Sequence, residues 1–329
     1  MLLVRAVGRV VEGRGTALGQ GRTWVIAHRG ASGYLPELSV PAFTLAYAMG
    51  ADYLELDVVM SQDGVPVVFH DHTLDATTNV ASVFPGRERR DGGWYVADFT
   101  LEEMKRLVRR ERFVGRYAGE GSGFGIVSLG EALELVRELN RVSGGGVGVM
   151  VELKGLAFHE EQGLAVEEAV VGVLDHFGFR GDLGYVMSFD GGSLRQVRGL
   201  MGDGGRLVQL IGTGASSDPM LTEQGLDAVA EYAEAIGPSK RRIENESGAP
   251  VHDGRVVGWA QSRGLKVFPY TLRSDQVPRG HIGFESEVRA YTQRYGVDGI
   301  FTDHPDLALD VVGADPTGRA RLAGRCARG

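Results

Sequence analysis

A chain of 329 residues with 43% hydrophobic and 24% charged side chains has the makeup of a soluble globule of one large domain or two ordinary ones. Its net charge of −8 argues against nucleic acid as the main partner, though a bound cation and one arginine can still reverse the field locally for an anionic substrate. Cys326 is the only cysteine, which excludes an intrachain disulfide and a cysteine metal site, and no apolar run reaches the roughly 18 residues of a membrane span.

Residues 1–23 are rich in Gly and Arg, lack periodicity and are expected to form a flexible leader. Their apolar start is broken by Arg5 and Arg9 and is too short for a clear signal peptide, so taken alone it suggests a cytoplasmic chain. Short apolar runs then fall at 24–28, 53–57, 147–153, 185–189, 207–211, 233–237, 266–272 and 299–302. Helical periodicity fills most of the gaps, at 41–49, 131–140, 165–177, 193–201, 221–231, 256–263 and 285–295. Eight strands alternating with helices predict an α/β fold, a closed (β/α)8 TIM barrel over residues 24–310. Residues 311–329 read as a disordered basic tail.

One run breaks the alternation. Residues 65–70 follow the second strand with only Ser61-Gln62-Asp63-Gly64 between. Asp-Gly is a favoured two-residue hairpin turn. A hairpin centred there pairs residues whose numbers sum to 127, with His70 opposite Asp57 and His72 opposite Glu55. Such partners lie about 5 Å apart. Residues 75–125 are too long for an ordinary connection, and are expected to form an insertion over the barrel mouth.

Chemistry belongs at the C-terminal ends of barrel strands. His28, Glu55, Asp57 and Glu152 fall at such ends. Glu55 and Asp57 are two apart on a strand and share a face, and Glu152 with Lys154 repeats the spacing. Three carboxylates at one mouth repel one another unless a cation sits between them. All-oxygen ligation selects a hard ion, Ca²⁺ or Mg²⁺. His28 and His70 on either side suit acid–base cleavage of a phosphodiester. Arg29 and Lys154 suit the non-bridging oxygens, one as a fork and one as a point charge.

These residues also carry a resemblance. Ile26-Ala27-His28-Arg29-Gly30-Ala31-Ser32-Gly33-Tyr34-Leu35-Pro36-Glu37 resembles the opening signature of the glycerophosphodiester phosphodiesterases. Gly50-Ala51-Asp52-Tyr53-Leu54-Glu55-Leu56-Asp57-Val58 and Val67-Val68-Phe69-His70-Asp71 resemble its next blocks. Glu152-Leu153-Lys154, Ser188-Phe189 and Phe301-Thr302-Asp303-His304-Pro305-Asp306 resemble later ones. The ordered set covers residues 24–310, and the bacterial periplasmic-type branch is the most similar, which points to a periplasmic or secreted location against the leader reading.

The resemblance implies a metal-dependent TIM barrel that hydrolyses deacylated phospholipids to sn-glycerol 3-phosphate and an alcohol. It implies acid–base roles for His28 and His70, metal ligation by Glu55, Asp57 and Glu152, and a phosphate contact from Arg29. It also implies attack by the substrate's own 2-hydroxyl, with water opening the cyclic product. The expected partner is a small glycerophosphodiester, with no nucleic acid and no stable membrane insertion; a homo-oligomer stays open. The chain departs from the family pattern at Leu38-Ser39, where Asn or His and then Thr are usual. The alternatives are a related barrel phosphodiesterase acting on intact lipids, in the manner of a lysophospholipase D, and an inactive binding protein that kept the barrel.

Overall fold

The computed structural model of the chain describes residues 22–117 and 124–313; most of the expected leader and tail lie outside these. Among the described residues nine strands are formed: β1 (Trp24–Ala27), β2 (Tyr53–Met60), β3 (Pro66–Val68), β4 (Gly148–Leu153), β5 (Gly184–Ser188), β6 (Arg206–Ile211), β7 (Ala235–Pro238), β8 (Lys266–Val267) and β9 (Gly299–Thr302). All except β3 run parallel, in the order β8-β7-β6-β5-β4-β2-β1-β9. The ring closes through the segment after β8, where Leu272 bridges Thr302 and the Phe301 N–H donates to the Pro269 carbonyl at 3.1 Å. The expected TIM barrel is therefore the fold.

Helices follow the strands as the periodicity requires. Among them are α1 (Val40–Met49) after β1 and α2 (Leu129–Ser143) before β4. Ser39 caps α1 by accepting from the Ala42 N–H, and Ser128 with Glu131 forms a capping box on α2.

Two-residue alternation sorts each strand between two cores. Leu54, Leu56 and Val58 of β2 face the helices, as do Val149 and Val151 of β4. Tyr53 and Met150 face the interior, with Ile26, Tyr185, Phe268 and Phe301. Gly148 lies opposite Tyr53, where a Cβ would meet the Tyr53 ring at 2.4 Å. Above this apolar floor the same inward face carries Glu55, Asp57 and Glu152.

The hairpin register corrects the sequence expectation by one residue. Val58 pairs with Val68 and Val59 with Val67, a sum of 126 rather than 127. The turn holds three residues, Gln62, Asp63 and Gly64, between the bonded Ser61 and Val65, and Gly64 takes φ 73°. That is a three-residue loop with glycine in the left-handed position, not the two-residue Asp-Gly turn. Phe69, not His70, therefore donates its N–H to the Asp57 carbonyl, and His72 is not opposite Glu55. A one-residue shift exchanges the two faces of a strand. Val67 and Phe69 pack in an apolar cluster with Val59 and with Val80, Phe84, Phe99 and Met104 of the segment after the hairpin. His70 lies past the end of β3 and lines the cavity at the mouth.

Candidate active site

The C-terminal ends of the strands surround a cavity of about 660 Å³, lined in part by His28, Arg29, Glu55, His70, Glu152 and Lys154. Asp57, the seventh candidate, lies fully buried against Arg29 and Lys154. All seven sequence candidates thus meet at one place.

The acidic centre follows from register. β2 and β4 are aligned so that Asp57 pairs with Glu152, and Glu55 sits one inward step below. One oxygen from each of the three carboxylates lies within 4.8 Å of the others. Burial, and next the Asp57 charge, raise the Glu55 carboxyl well above its usual range. Burial also raises Glu152 despite its contact with Lys154. Burial would raise Asp57 too, but Lys154 and Arg29 override it and hold Asp57 low. Lys154 Nζ lies 3.1 Å from Asp57 and in closer contact with Glu152, and Arg29 Nε lies 2.9 Å from Asp57.

These charges are near one another without being saturated. Glu55 Oε1, both Asp57 oxygens and Glu152 Oε1 are buried and accept no aligned hydrogen bond. Buried carboxylate oxygens normally find donors. Three buried carboxylates whose oxygens converge, and whose charge Lys154 and Arg29 offset only in part, are an oxygen set that a hard divalent cation takes, so the residues present fit such an ion.

A strained turn supplies the first histidine and the arginine. β1 ends at Ala27, and Arg29 adopts φ 57°, a left-handed conformation uncommon for a side chain of its size. That turn aims the Arg29 N–H at Glu55 Oε2, 2.6 Å away. Gly30 follows at φ 80°, where a Cβ would lie 2.8 Å from the Ala42 backbone of α1. Close contact with the helix thus dictates glycine there.

Six charged residues that the sequence reading did not assign complete the site. Asp303, just past β9, is the acceptor for His28 Nδ1–H at 2.7 Å. Burial outweighs this bond and pulls the His28 imidazole down to about 4. Asp303 is itself buried yet stays ionised, held low by His28, Arg273 and Arg116. Asp71 makes the same kind of contact with His70 Nδ1, at 2.5 Å. Burial would raise Asp71, but His70 and Arg112 bring it down to about 2. Glu37 joins Arg29 Nη1 at 2.7 Å to Arg112 Nη2 at 2.9 Å, and these cations overcome its burial to hold it at about 2. The signals were present. Asp71 adjoins His70, and Asp303 ends the strand that barrel closure puts beside β1.

Fold and site together define a (β/α)8-barrel enzyme with its acidic centre and two histidine–aspartate pairs at the strand ends. The sequence profile of the Glycerophosphoryl diester phosphodiesterase family matches residues 28–307. A glycerophosphodiester phosphodiesterase of Haemophilus influenzae is 33% identical over 323 residues, covering 87% of this chain and 88% of that one. One from Treponema pallidum is 31% identical, covering 88% and 91%. A solved family structure from Silicibacter pomeroyi superposes with a TM-score of 0.70 at 25% identity, over 93% of this chain and 97% of that one. An Oleispira antarctica phosphodiesterase, solved with its product sn-glycerol-3-phosphate, shares the fold with a TM-score of 0.63 at 24% identity, over 89% and 97%. The chain belongs to the glycerophosphoryl diester phosphodiesterase family.

Proposed function

We propose that this chain hydrolyses glycerophosphodiesters to sn-glycerol 3-phosphate and an alcohol, with His28 and His70 as the acid–base pair and a divalent cation on Glu55, Asp57 and Glu152. The observation that carries the reading is the pairing of each histidine with its own carboxylate, Asp303 or Asp71, at the rim of one cavity that also holds the acidic centre.

His28 is neutral near pH 7, as a proton acceptor must be, and Asp303 fixes which ring nitrogen faces the cavity. It takes the proton of the attacking hydroxyl. His70, oriented by Asp71, delivers a proton to the departing alkoxide; the roles reverse when water opens the cyclic ester. Lys154 and Arg29 meet the non-bridging phosphoryl oxygens with a point charge and a planar fork. When bound, the cation would neutralise phosphoryl charge and acidify the attacking hydroxyl. The test is release of glycerol 3-phosphate from a panel of glycerophosphodiesters, with Ca²⁺, Mg²⁺ or chelator. Release that needs a cation supports the reading; no release from any diester removes it.

One observation favours a second reading, action on lysophospholipids. Val114 and Ile282 are fully exposed, and Phe189 at the end of β5 is 46% exposed and lines the cavity. Val114 lies in the segment that reaches over the mouth, and Ile282 in the long loop after β8. An apolar rim of this kind suits an acyl chain. Side-by-side assays of glycerophosphocholine and its monoacyl form separate the two.

A further inference from the structure

The segment before α2 crosses the barrel mouth and touches both histidine–aspartate pairs. Arg112 Nη2 donates to Asp71 Oδ2 at 2.9 Å, behind His70, and to Glu37, behind Arg29. Arg116 Nη2 donates to Asp303 Oδ2 at 2.8 Å, behind His28. Four residues of chain span at most about 14 Å, so one short stretch bridges the two sides of the site.

The stretch is anchored at both ends. The Arg116 side chain is almost wholly buried, with an exposure of 5%. Its Nε donates to Asp275 at 2.7 Å and its Nη1 to the Ser32 carbonyl at 3.2 Å, which ties the loop after β8 to the loop after β1. Arg273 Nε reaches the same Asp303 oxygen at 2.7 Å. At the other end Arg109 is buried and donates to the Val68 carbonyl of β3. Neither Arg112 nor Arg116 lines the cavity, so each reaches the chemistry only through the carboxylate it holds.

We propose that Arg112 and Arg116 are positioning residues, a brace that aligns His70 and His28 together by fixing Asp71 and Asp303. The geometry explains why two arginines four residues apart each face an aspartate whose other oxygen contacts a histidine. A carboxylate held from one side by a guanidinium keeps a single rotamer and presents its second oxygen to the imidazole in one direction. The inference rests on the two-histidine reading of the preceding section.

The test is a double-mutant cycle on the full chain, reading kcat and KM for a glycerophosphodiester, with thermal midpoints to confirm folding. Arg116→Ala is expected to lower kcat about 10- to 100-fold with KM changed less than about threefold, as lost outer supports of a site typically do. In an Asp303→Asn background the same change should cost little more, because Arg116 acts through Asp303. Arg116→Lys should recover part of the loss. Asp275→Asn, which removes only the exposed anchor of Arg116, gives a smaller fall in kcat and keeps the cycle readable if Arg116→Ala does not fold. Unchanged kcat, an effect on KM alone, or an equal loss in the Asp303→Asn background overturns the brace. His28→Ala at full rate overturns the reading beneath it; inactive His28→Ala beside fully active Arg116→Ala overturns the brace alone.

Discussion

His28 and Asp303 are 275 residues apart in sequence and meet at 2.7 Å, because closure of the barrel makes β1 and β9 neighbours. Asp71 contacts His70 in the same way, so the two histidines meet carboxylates from opposite ends of the chain. Asp303→Asn keeps shape and removes the charge that fixes the His28 tautomer. The expected result is a fall in kcat of about two to four orders of magnitude with KM little changed. Steady-state release of glycerol 3-phosphate measures it, and a kcat within a few-fold of the parent would show that Asp303 does not orient His28.

The acidic centre predicts a stability effect independent of turnover. Ca²⁺ or Mg²⁺ should raise the melting temperature, since a ligand that binds only the folded state stabilises it by mass action. At a hundredfold excess over Kd the gain is about 2.7 kcal/mol. Glu152→Gln removes one charged ligand of the three and should shift the titration to higher metal concentration. Coincident titrations of parent and variant would assign the third ligand elsewhere.

Much of this site was legible because strands obey period two. Glu55 and Asp57 had to share a face, and strand ends had to converge, so the seven candidates came together without knowledge of any distance. Hairpin register was not legible to one residue, because Asp-Gly fits both a two-residue turn and a three-residue loop with Gly64 left-handed. The roles of Arg112 and Arg116 were illegible for a different reason, although Arg110-Glu111-Arg112 belongs to the resemblance to the periplasmic-type branch. Arg112 and Arg116 lie on a segment with no periodic signal, and only tertiary packing brings that segment to the mouth. Leu38, which departs from the family pattern, is fully buried at φ 57°, while Ser39 beside it caps α1. The pair therefore serves the turn and the helix start.

The turn that carries His28 makes a prediction about Gly30. Its φ of 80° disfavours any side chain, and a Cβ would lie 2.8 Å from the carbonyl carbon and 2.9 Å from the carbonyl oxygen of Ala42. Neither contact can relax without moving α1. Gly30→Ala should cost about 2 kcal/mol or more in urea denaturation and lower kcat as well, since displacement of the turn misaligns His28 and Arg29. A loss of stability with full activity would mean that the turn re-forms around the new methyl group.

His159 predicts how stability responds to acid. It is fully buried beside the C-terminal end of β2, accepts the Met60 N–H on Nε2 at 3.2 Å, and leaves Nδ1 without a partner. Burial, and then the nearby His72, lower its imidazole to about 4 from an ordinary 6.5. Between those values the unfolded chain binds a proton that the folded chain refuses. Stability from this group is therefore complete above about pH 6.5 and lost as pH falls toward 4, by on the order of 3 kcal/mol. His159→Gln keeps an acceptor for Met60 and cannot titrate. Urea melts at about pH 7, 5.5 and 4 should show the parent losing stability relative to the variant as pH falls, even though His28 titrates in both. Parallel pH dependence in the two proteins would mean that His159 is protonated in the folded state, with its charge satisfied by a rearranged neighbour.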